Sequence, residues 1–366
     1  MENAVTIDTE RTLLPPTMSA IVIRDFGGPD VMQLETVASP AVLPGEVVVR
    51  VGAVEVSRTR DGGTRSGKHP FSREVTLPHV LGGDFGGVIV AVGDGVAGSL
   101  VGARVAVMNH HVCGVCAACR SGNDNECAEL EMIGIHRWGS YAEYTSVHAD
   151  QVHRLPAGID LAEAAALAAT GPIGLTQLRT ALAGPDSVIL VTGMTGALAS
   201  VVASLGSTLG ATMIGLSRRA SNAPRGGHIV LDSARPDLAE AILTASGGRK
   251  PTAVIDNVCA PDVFESYFPT LANGARIVVS GAIGTPEMPV LPVPARTLYS
   301  KSIALMGVRS HTVPITAEFW QLVLDGFRLP GYLIHEYPLE RASATHQAIL
   351  EGTSIGHTIL RVSPEI

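Results

Sequence analysis

SVILVTGMTGALASVVASLGSTLGATMIGLSRR, residues 187–219, decides the fold. Residues 187–192 form a short β-branched apolar run that stops at Gly193, the pattern of a strand buried on both faces of a parallel sheet. Residues 196–209 then carry small and apolar side chains at helical spacing and close on Gly210. A second apolar run, 211–216, follows directly. The unit is therefore strand, turn, helix, strand, the layout that binds a dinucleotide.

The chemistry explains the spacing. Gly193 and Gly196 let the backbone turn sharply and approach a pyrophosphate, whose charge is stabilised by free N–H groups at the positive end of the helix dipole. Thr192, Gly193, Met194, Thr195, Gly196, Ala197 and Leu198 are the expected cradle. The end of the second strand selects the nucleotide. An acidic residue about 20 positions beyond the glycines would accept from a ribose 2′-hydroxyl, whereas Ser217, Arg218 and Arg219 stand here. Two guanidiniums and a hydroxyl suit a 2′-phosphate, so NADP(H) is expected over NAD(H). Ala197 and Ala199 replace glycines common in such turns, so the second strand and its arginine pair carry the reading.

A chain of 366 residues fits two domains better than one core. Hydrophobic residues make up 46% and charged residues 16%, as suits a compact α/β enzyme with large buried sheets. A net charge of -8 with no basic stripe argues against nucleic-acid binding and for a small-molecule substrate. Residues 180–217 contain one charged residue, Asp186, but their six glycines and separate apolar runs fit a soluble unit better than a membrane span. Residues 1–17 hold Glu2, Asp8 and Glu10 without an apolar core. They read as a flexible leader, not a secretory signal, and a cytoplasmic location is expected.

Strand-like runs at 20–24, 31–37, 46–56, 87–92, 103–108 and 141–147, set apart by turns such as GGPD and LPG, predict a barrel-like amino-terminal domain. Residues 161–183 predict helical segments with a break at Thr170 and Gly171, which could face the cofactor. Further strands at 211–217, 228–232, 252–257, 275–281 and 303–308, with helices between them such as 236–245, predict a doubly wound sheet. The link between Ala220 and Gly227 is too short for a full helix. Helices over 316–327 and 341–351 and a closing strand over 357–362 are expected to return to the first domain.

Four of the five cysteines, Cys113, Cys116, Cys119 and Cys127, form a C-x2-C-x2-C-x7-C string in a glycine-containing loop. Such spacing delivers four thiolates to a tetrahedral zinc at about 2.3 Å from one loop. In a cytoplasmic chain it favours one structural zinc over disulfides. Four thiolates leave no open position for substrate, so this metal folds a lobe, residues 109–130, and does no chemistry. Cys259 reads as a core residue.

Together these features resemble the medium-chain dehydrogenase/reductase superfamily, which contains zinc alcohol dehydrogenases and quinone or enoyl reductases. MSAIVIRDFGGPDVMQLETV, PGEVVVRVGAVEVS, GGDFGGVIVAVGDGV, the cysteine lobe, GSYAEYTSV, VTGMTGALA and LYSKSIALMGV carry the resemblance over residues 18–362. It implies an α/β architecture: a GroES-like catalytic domain (18–165), a Rossmann NADP(H)-binding domain (166–308), and a carboxy-terminal return (309–366). A homodimer through the Rossmann edge also follows from it.

At the places matching the catalytic zinc ligands of alcohol dehydrogenases the chain has Ser57, Gly83 and Thr170, none a good zinc ligand. Asp84 stands where the family's GHE motif has its Glu. A rebuilt site using Asp84, His110 and His111 is the alternative. Without a Lewis acid, a plain ketone loses several kcal/mol of oxyanion stabilisation, whereas a conjugated C=C spreads its charge to an oxygen that a few hydrogen bonds can hold. The expectation is NADPH-dependent reduction of an enone, enoyl thioester or quinone. A zinc-independent carbonyl reductase and a non-redox protein are the rivals. The nicotinamide is expected against Thr170, Asn257, Gly281, Ala282, Ile283 and Val308. Ser57 and Arg58, placed there by the resemblance, are candidates to bind the substrate carbonyl or position the nicotinamide, and His110 and His111 to donate the proton.

Overall fold

The computed structural model describes residues 14–222, 228–281, 290–363 and 366. Its centre is a six-stranded, all-parallel sheet in the order Ile229–Asp232, Thr212–Ser217, Val188–Thr192, Ala253–Ile255, Arg276–Val279, Ala304–Gly307. Alternate side chains of Val188–Thr192 enter two different cores, which explains why the run is apolar at every position. Ile189 and Val191 pack with the helices Leu161–Leu167, Thr170–Thr180 and Ala197–Thr208. Val188 and Leu190 pack with Leu238–Ala245 and Pro261–Tyr267 on the other face. A sheet covered on both sides is the doubly wound arrangement.

The amino-terminal part builds a seven-stranded sheet in the order Val152–Arg154, Arg104–Val107, Phe85–Val92, Glu46–Glu55, His357–Arg361, Ile334–Pro338, with Tyr144–His148 also paired to Glu46–Glu55. Register shifts between Val48 and Val49 and between Val51 and Ala53 bend Glu46–Glu55 as bulges do. A three-stranded sheet of Met32–Ala38, Thr17–Ile23 and His79–Val80 shares the same apolar core. The strand His357–Arg361 pairs antiparallel with Ala53–Glu55 and parallel with Ile334–Pro338, so it lies inside the first sheet.

The break at Thr170 separates Leu161–Leu167, whose N-cap Asp160 accepts from the Ala162 N–H at 2.7 Å, from Thr170–Thr180. Sequence periodicity does not reveal the short helices Arg60–Arg65, Pro261–Tyr267 and Ala295–Ser300 or the strand Ile334–Pro338. After Arg219 the chain makes a single 3-10 turn, Ala220–Asn222; residues 223–227 lie outside the described residues. Among the described residues no helix is long and apolar enough to cross a membrane.

Candidate active site and metal lobe

The sheet order reverses at Val188–Thr192, and beyond the strand ends at such a reversal is where a doubly wound sheet takes its ligand. Gly193 leaves the strand at φ +68, a left-handed conformation in which a side chain is strained. Helix Ala197–Thr208 begins at Gly196 with no side-chain cap, so its first N–H groups remain for an anion. Thr195, Gly196, Ala197 and Leu198 keep surface at the turn. Thr192 and Met194 are buried beneath it and shape it from inside. The Thr192 hydroxyl donates to Asp256 Oδ1 at 2.8 Å and accepts from the Asn257 N–H at 3.1 Å.

Ser217 is buried; its Oγ lies 3.3 Å from Thr195 Oγ1 and accepts from the Arg219 N–H at 3.0 Å. Arg218 and Arg219 are exposed, and the Arg219 guanidinium lies beside Gly352 at the carbonyl end of helix Ala342–Glu351, where a cation is favoured. Across the crevice, Asn257 Oδ1 accepts from Gln177 Nε2 at 2.8 Å and from Ser280 Oγ at 2.9 Å. Gly281 sits against the Asn257 carbonyl, and Val308 bonds back to Val279 at 2.8 Å. Thr170 starts its helix with its hydroxyl donated to the Ala166 carbonyl. Ala282 and Ile283 lie outside the described residues. Nothing in the sequence marks Gln177, an amide within an otherwise ordinary helix.

Three contacts carry the crevice to the first sheet. The Gly356 N–H donates to Thr195 O at 2.9 Å, His357 Nδ1 meets Glu55 Oε1 at 2.7 Å, and the Glu55 N–H donates to Asp84 O at 2.8 Å. Immediately beyond Glu55, residues 57–61 turn into helix Arg60–Arg65. The Ser57 N–H donates to Asp61 Oδ2 at 2.8 Å, and Ser57 Oγ accepts from the Arg60 N–H at 3.2 Å. Arg58 points to solvent with no hydrogen bond or ion pair among the described residues; Arg60 is the buried arginine.

Arg60 is clamped between two carboxylates. Its Nε and Nη2 bond Asp61 Oδ1 and Oδ2 at 2.8 and 3.1 Å, and its Nη1 lies 2.6 Å from Asp84 Oδ2. The side chains of Arg60 and Asp61 are 6% and 0% exposed. Burial by itself would lower the guanidinium pKa, but Asp61 and Asp84 outweigh it and the net direction is up, so Arg60 is a permanent cation. A Cβ at Gly83 would sit 3.0 Å from Arg60 Cζ and Nη1 and 2.8 Å from the Ile133 carbonyl. A side chain at 83 would collide with the Ile133 carbonyl and crowd the guanidinium.

Supporting side chains converge on the same carboxylates. Asn109 Nδ2 donates to Asp84 Oδ1 at 3.1 Å, which makes Asn109 Oδ1 the acceptor for His110 Nδ1–H at 3.0 Å. On the other side Arg65 donates to His346 Nδ1 at 3.3 Å. His346 Nε2–H then donates to the Tyr141 hydroxyl at 3.0 Å, and that hydroxyl to Asp61 Oδ2 at 3.3 Å. Burial pushes His110 and His346 down to about 4, so both rings are neutral near pH 7.

The two adjacent histidines separate. His110 points inward, while His111 stacks on His148 with centroids 3.8 Å apart and meets Asp150 at 3.1 Å, beside a surface depression lined by Gly45 and Gly95. Alternation along the strand His110–His111 sends them to opposite faces. The rebuilt metal site of Asp84, His110 and His111 is therefore not formed: His111 is elsewhere and both Asp84 oxygens are taken. Among the described residues the sole group of three or more His, Cys, Asp or Glu with ligand atoms within 4.8 Å of one another is Cys113, Cys116, Cys119 and Cys127.

Those four thiols are free, with Sγ separations of 3.5 Å (Cys116–Cys119), 3.6 Å (Cys113–Cys127) and 4.0 Å (Cys113–Cys119). That sulfur cage fits a tetrahedral zinc and leaves it no further coordination position. The lobe also grips the chain after the parallel sheet. Asp124 accepts from the Val313 N–H at 3.1 and 3.2 Å, capping helix Val313–Leu324, and Asn125 donates to the Arg309 carbonyl. Cys259 is buried and pushed up to about 12 by burial and Asp256, which fits a core role.

Residues 43–157 match the model of the alcohol dehydrogenase GroES-like domain, and residues 197–325 that of the zinc-binding dehydrogenase domain. An alcohol dehydrogenase of Geobacillus stearothermophilus is 27% identical over 350 residues, covering 94% of this chain and all of the relative. The starvation-sensing protein RspB of Escherichia coli K12 is 30% identical over 258 residues, covering 68% of this chain and 73% of RspB. Among solved structures, an NAD-dependent alcohol dehydrogenase superposes with a TM-score of 0.83 at 27% identity, over 94% of this chain and 100% of that one.

Proposed function

The chain belongs to the medium-chain dehydrogenase/reductase superfamily and is an oxidoreductase; from that premise we propose that it is an NADPH-dependent reductase of activated double bonds, working without a catalytic zinc. The observation that carries this reading is the Arg60 guanidinium against Gly83, flanked by Ser57, where a metal ligand would be expected. Serine, glycine and threonine at positions 57, 83 and 170 supply no ligand set for zinc, and a guanidinium repels one. An acceptor that needs modest polarisation, an enone, enoyl thioester or quinone, fits such a cleft better than a plain alcohol or ketone.

NADP(H) would be held by the uncapped start of helix Ala197–Thr208 at its pyrophosphate, by Ser217, Arg218 and Arg219 at its adenosine phosphate, and by the Thr170, Asn257 and Val308 side of the crevice at its nicotinamide. Bound there, the cofactor supplies a hydride. Zinc in the four-cysteine lobe would keep Asp124 in place as the cap of helix Val313–Leu324. His110 enters this reading as an orienting residue: its Nδ1–H is committed to Asn109 and its ring holds no exchangeable charge near neutrality. Free thiols and the coenzyme reading keep the cytoplasm as the proposed location, and the exposed edge strand Ala304–Gly307 keeps a homodimer open to test by sedimentation.

The test is a panel of acceptors assayed by NADPH oxidation. Enones, enals and quinones should be reduced with kcat/KM at least about tenfold above saturated aldehydes and ketones of the same size. Activity confined to the saturated carbonyls would replace this reading with that of a zinc-independent carbonyl reductase.

A further inference from the structure

A guanidinium presents five N–H bonds in a plane. In Arg60 the Nε and one Nη2 bond hold Asp61 side-on and one Nη1 bond holds Asp84, so one N–H on each of Nη1 and Nη2 is left over. The group cannot swing away to use them elsewhere. Asp61 is fixed by the Ser57 N–H and the Arg65–His346–Tyr141 chain, and Asp84 by Asn109 and His110 behind it. A cation braced from both sides with donors to spare is preorganised for an oxygen ligand.

Its position agrees. Thr195 of the nucleotide turn touches Gly356, its neighbour His357 touches Glu55, and Glu55 touches Asp84, so three residues link the coenzyme cradle to the Asp84–Arg60 pair. We infer that Arg60 binds the carbonyl oxygen of the substrate and performs the polarising task that a metal ion would otherwise perform. The inference rests on the zinc-free reduction proposed above and names its electrophile.

In the reduction, the β-carbon of the acceptor gains the hydride, the C=C pair becomes a double bond between the α-carbon and the carbonyl carbon, and the carbonyl π pair moves onto oxygen, giving an enolate. The N–H bonds of Arg60 hold that oxygen without transferring a proton. Water returns a proton to the α-carbon as NADPH becomes NADP⁺, so acceptor, hydride and proton give the saturated carbonyl.

Arg60→Gln in the full-length, zinc-loaded enzyme tests this with 2-cyclohexen-1-one as acceptor. Loss of the donor should lower kcat by about 10²–10³-fold with NADPH affinity unchanged, and added methylguanidinium should restore at least about tenfold of the loss. Should Arg60→Gln not fold, Arg60→Lys keeps a charge between Asp61 and Asp84 but not the planar fork, and kcat at least about tenfold down is expected. A kcat within about threefold of wild type in a folded variant, or a loss that methylguanidinium leaves untouched in Arg60→Gln, overturns the role of Arg60 while wild-type enone reduction stands. Wild type that reduces saturated carbonyls alone overturns the function instead, and the same variants on those carbonyls still read the role of Arg60. Wild type that reduces nothing overturns both.

Discussion

At the scale of single residues, the difference between Arg58 and Arg60 shows what sequence reading can and cannot resolve. Both lie in S-R-T-R-D, two positions apart, and composition treats them alike. The fold sends Arg58 to water and buries Arg60 because helix Arg60–Arg65 begins there and Asp61 and Asp84 need a cation. The absence of a ligand at Gly83 was legible in the sequence; that a guanidinium fills the space was not, since it depends on a contact between residues 23 positions apart. Asp256 is a second buried carboxylate that periodicity hides at the end of an apolar strand. It accepts from Thr192 Oγ1, the Val258 and Cys259 N–H groups, and the Tyr267 hydroxyl at 2.8–3.1 Å. Asp256→Ala should strand these donors and cost about 3 kcal/mol or more in urea unfolding, well above an ordinary surface substitution.

At the scale of elements, the strand–turn–helix–strand unit was fully legible because its signals are local. Strand period, glycine at the turn and helical spacing each act within a few residues of one another, and the boundaries fall within two residues of expectation. Short elements escaped because packing, not propensity, forms them: Arg60–Arg65 contains two adjacent glycines and holds its shape through Asp61. The two exposed arginines after Thr212–Ser217 set the coenzyme prediction. Arg218→Ala with Arg219→Ala should raise the KM for NADPH by about 10- to 100-fold and leave that for NADH nearly unchanged, because the lost charge-assisted bonds reach only a 2′-phosphate. Equal effects on both coenzymes would contradict the assignment.

For the whole molecule, buried imidazoles set the response to acid. Burial lowers the pKa of His69, His79, His110, His153, His228, His311 and His346, with His110, His153 and His346 at about 4. Above their unfolded pKa of about 6.5 neither state binds these protons and they contribute nothing. As pH falls below about 6.5 the unfolded chain binds protons that the folded chain refuses, down to about 4 for His110, His153 and His346, so stability falls by up to about 1.4 kcal/mol per pH unit for each such group. Glu55, Asp84, Asp124 and Glu163 are raised by burial and act in the opposite sense, but they are four against seven. The urea midpoint should therefore be lower at pH 5 than at pH 7.5; an equal or higher midpoint would show that these rings are not buried neutral.

The central claim is that hydride reaches an activated C=C beside Arg60 with no ion at the substrate. Its most direct measurement is the metal content of fully active enzyme, by mass spectrometry of the purified protein, alongside its rate of enone reduction with NADPH. One zinc per chain at full rate, lost together with the fold of the lobe when Cys116 and Cys119 are replaced, is the result expected from a single sulfur cage. Two metals per chain, with enone reduction abolished when the more weakly held one is chelated and the lobe stays intact, would contradict it.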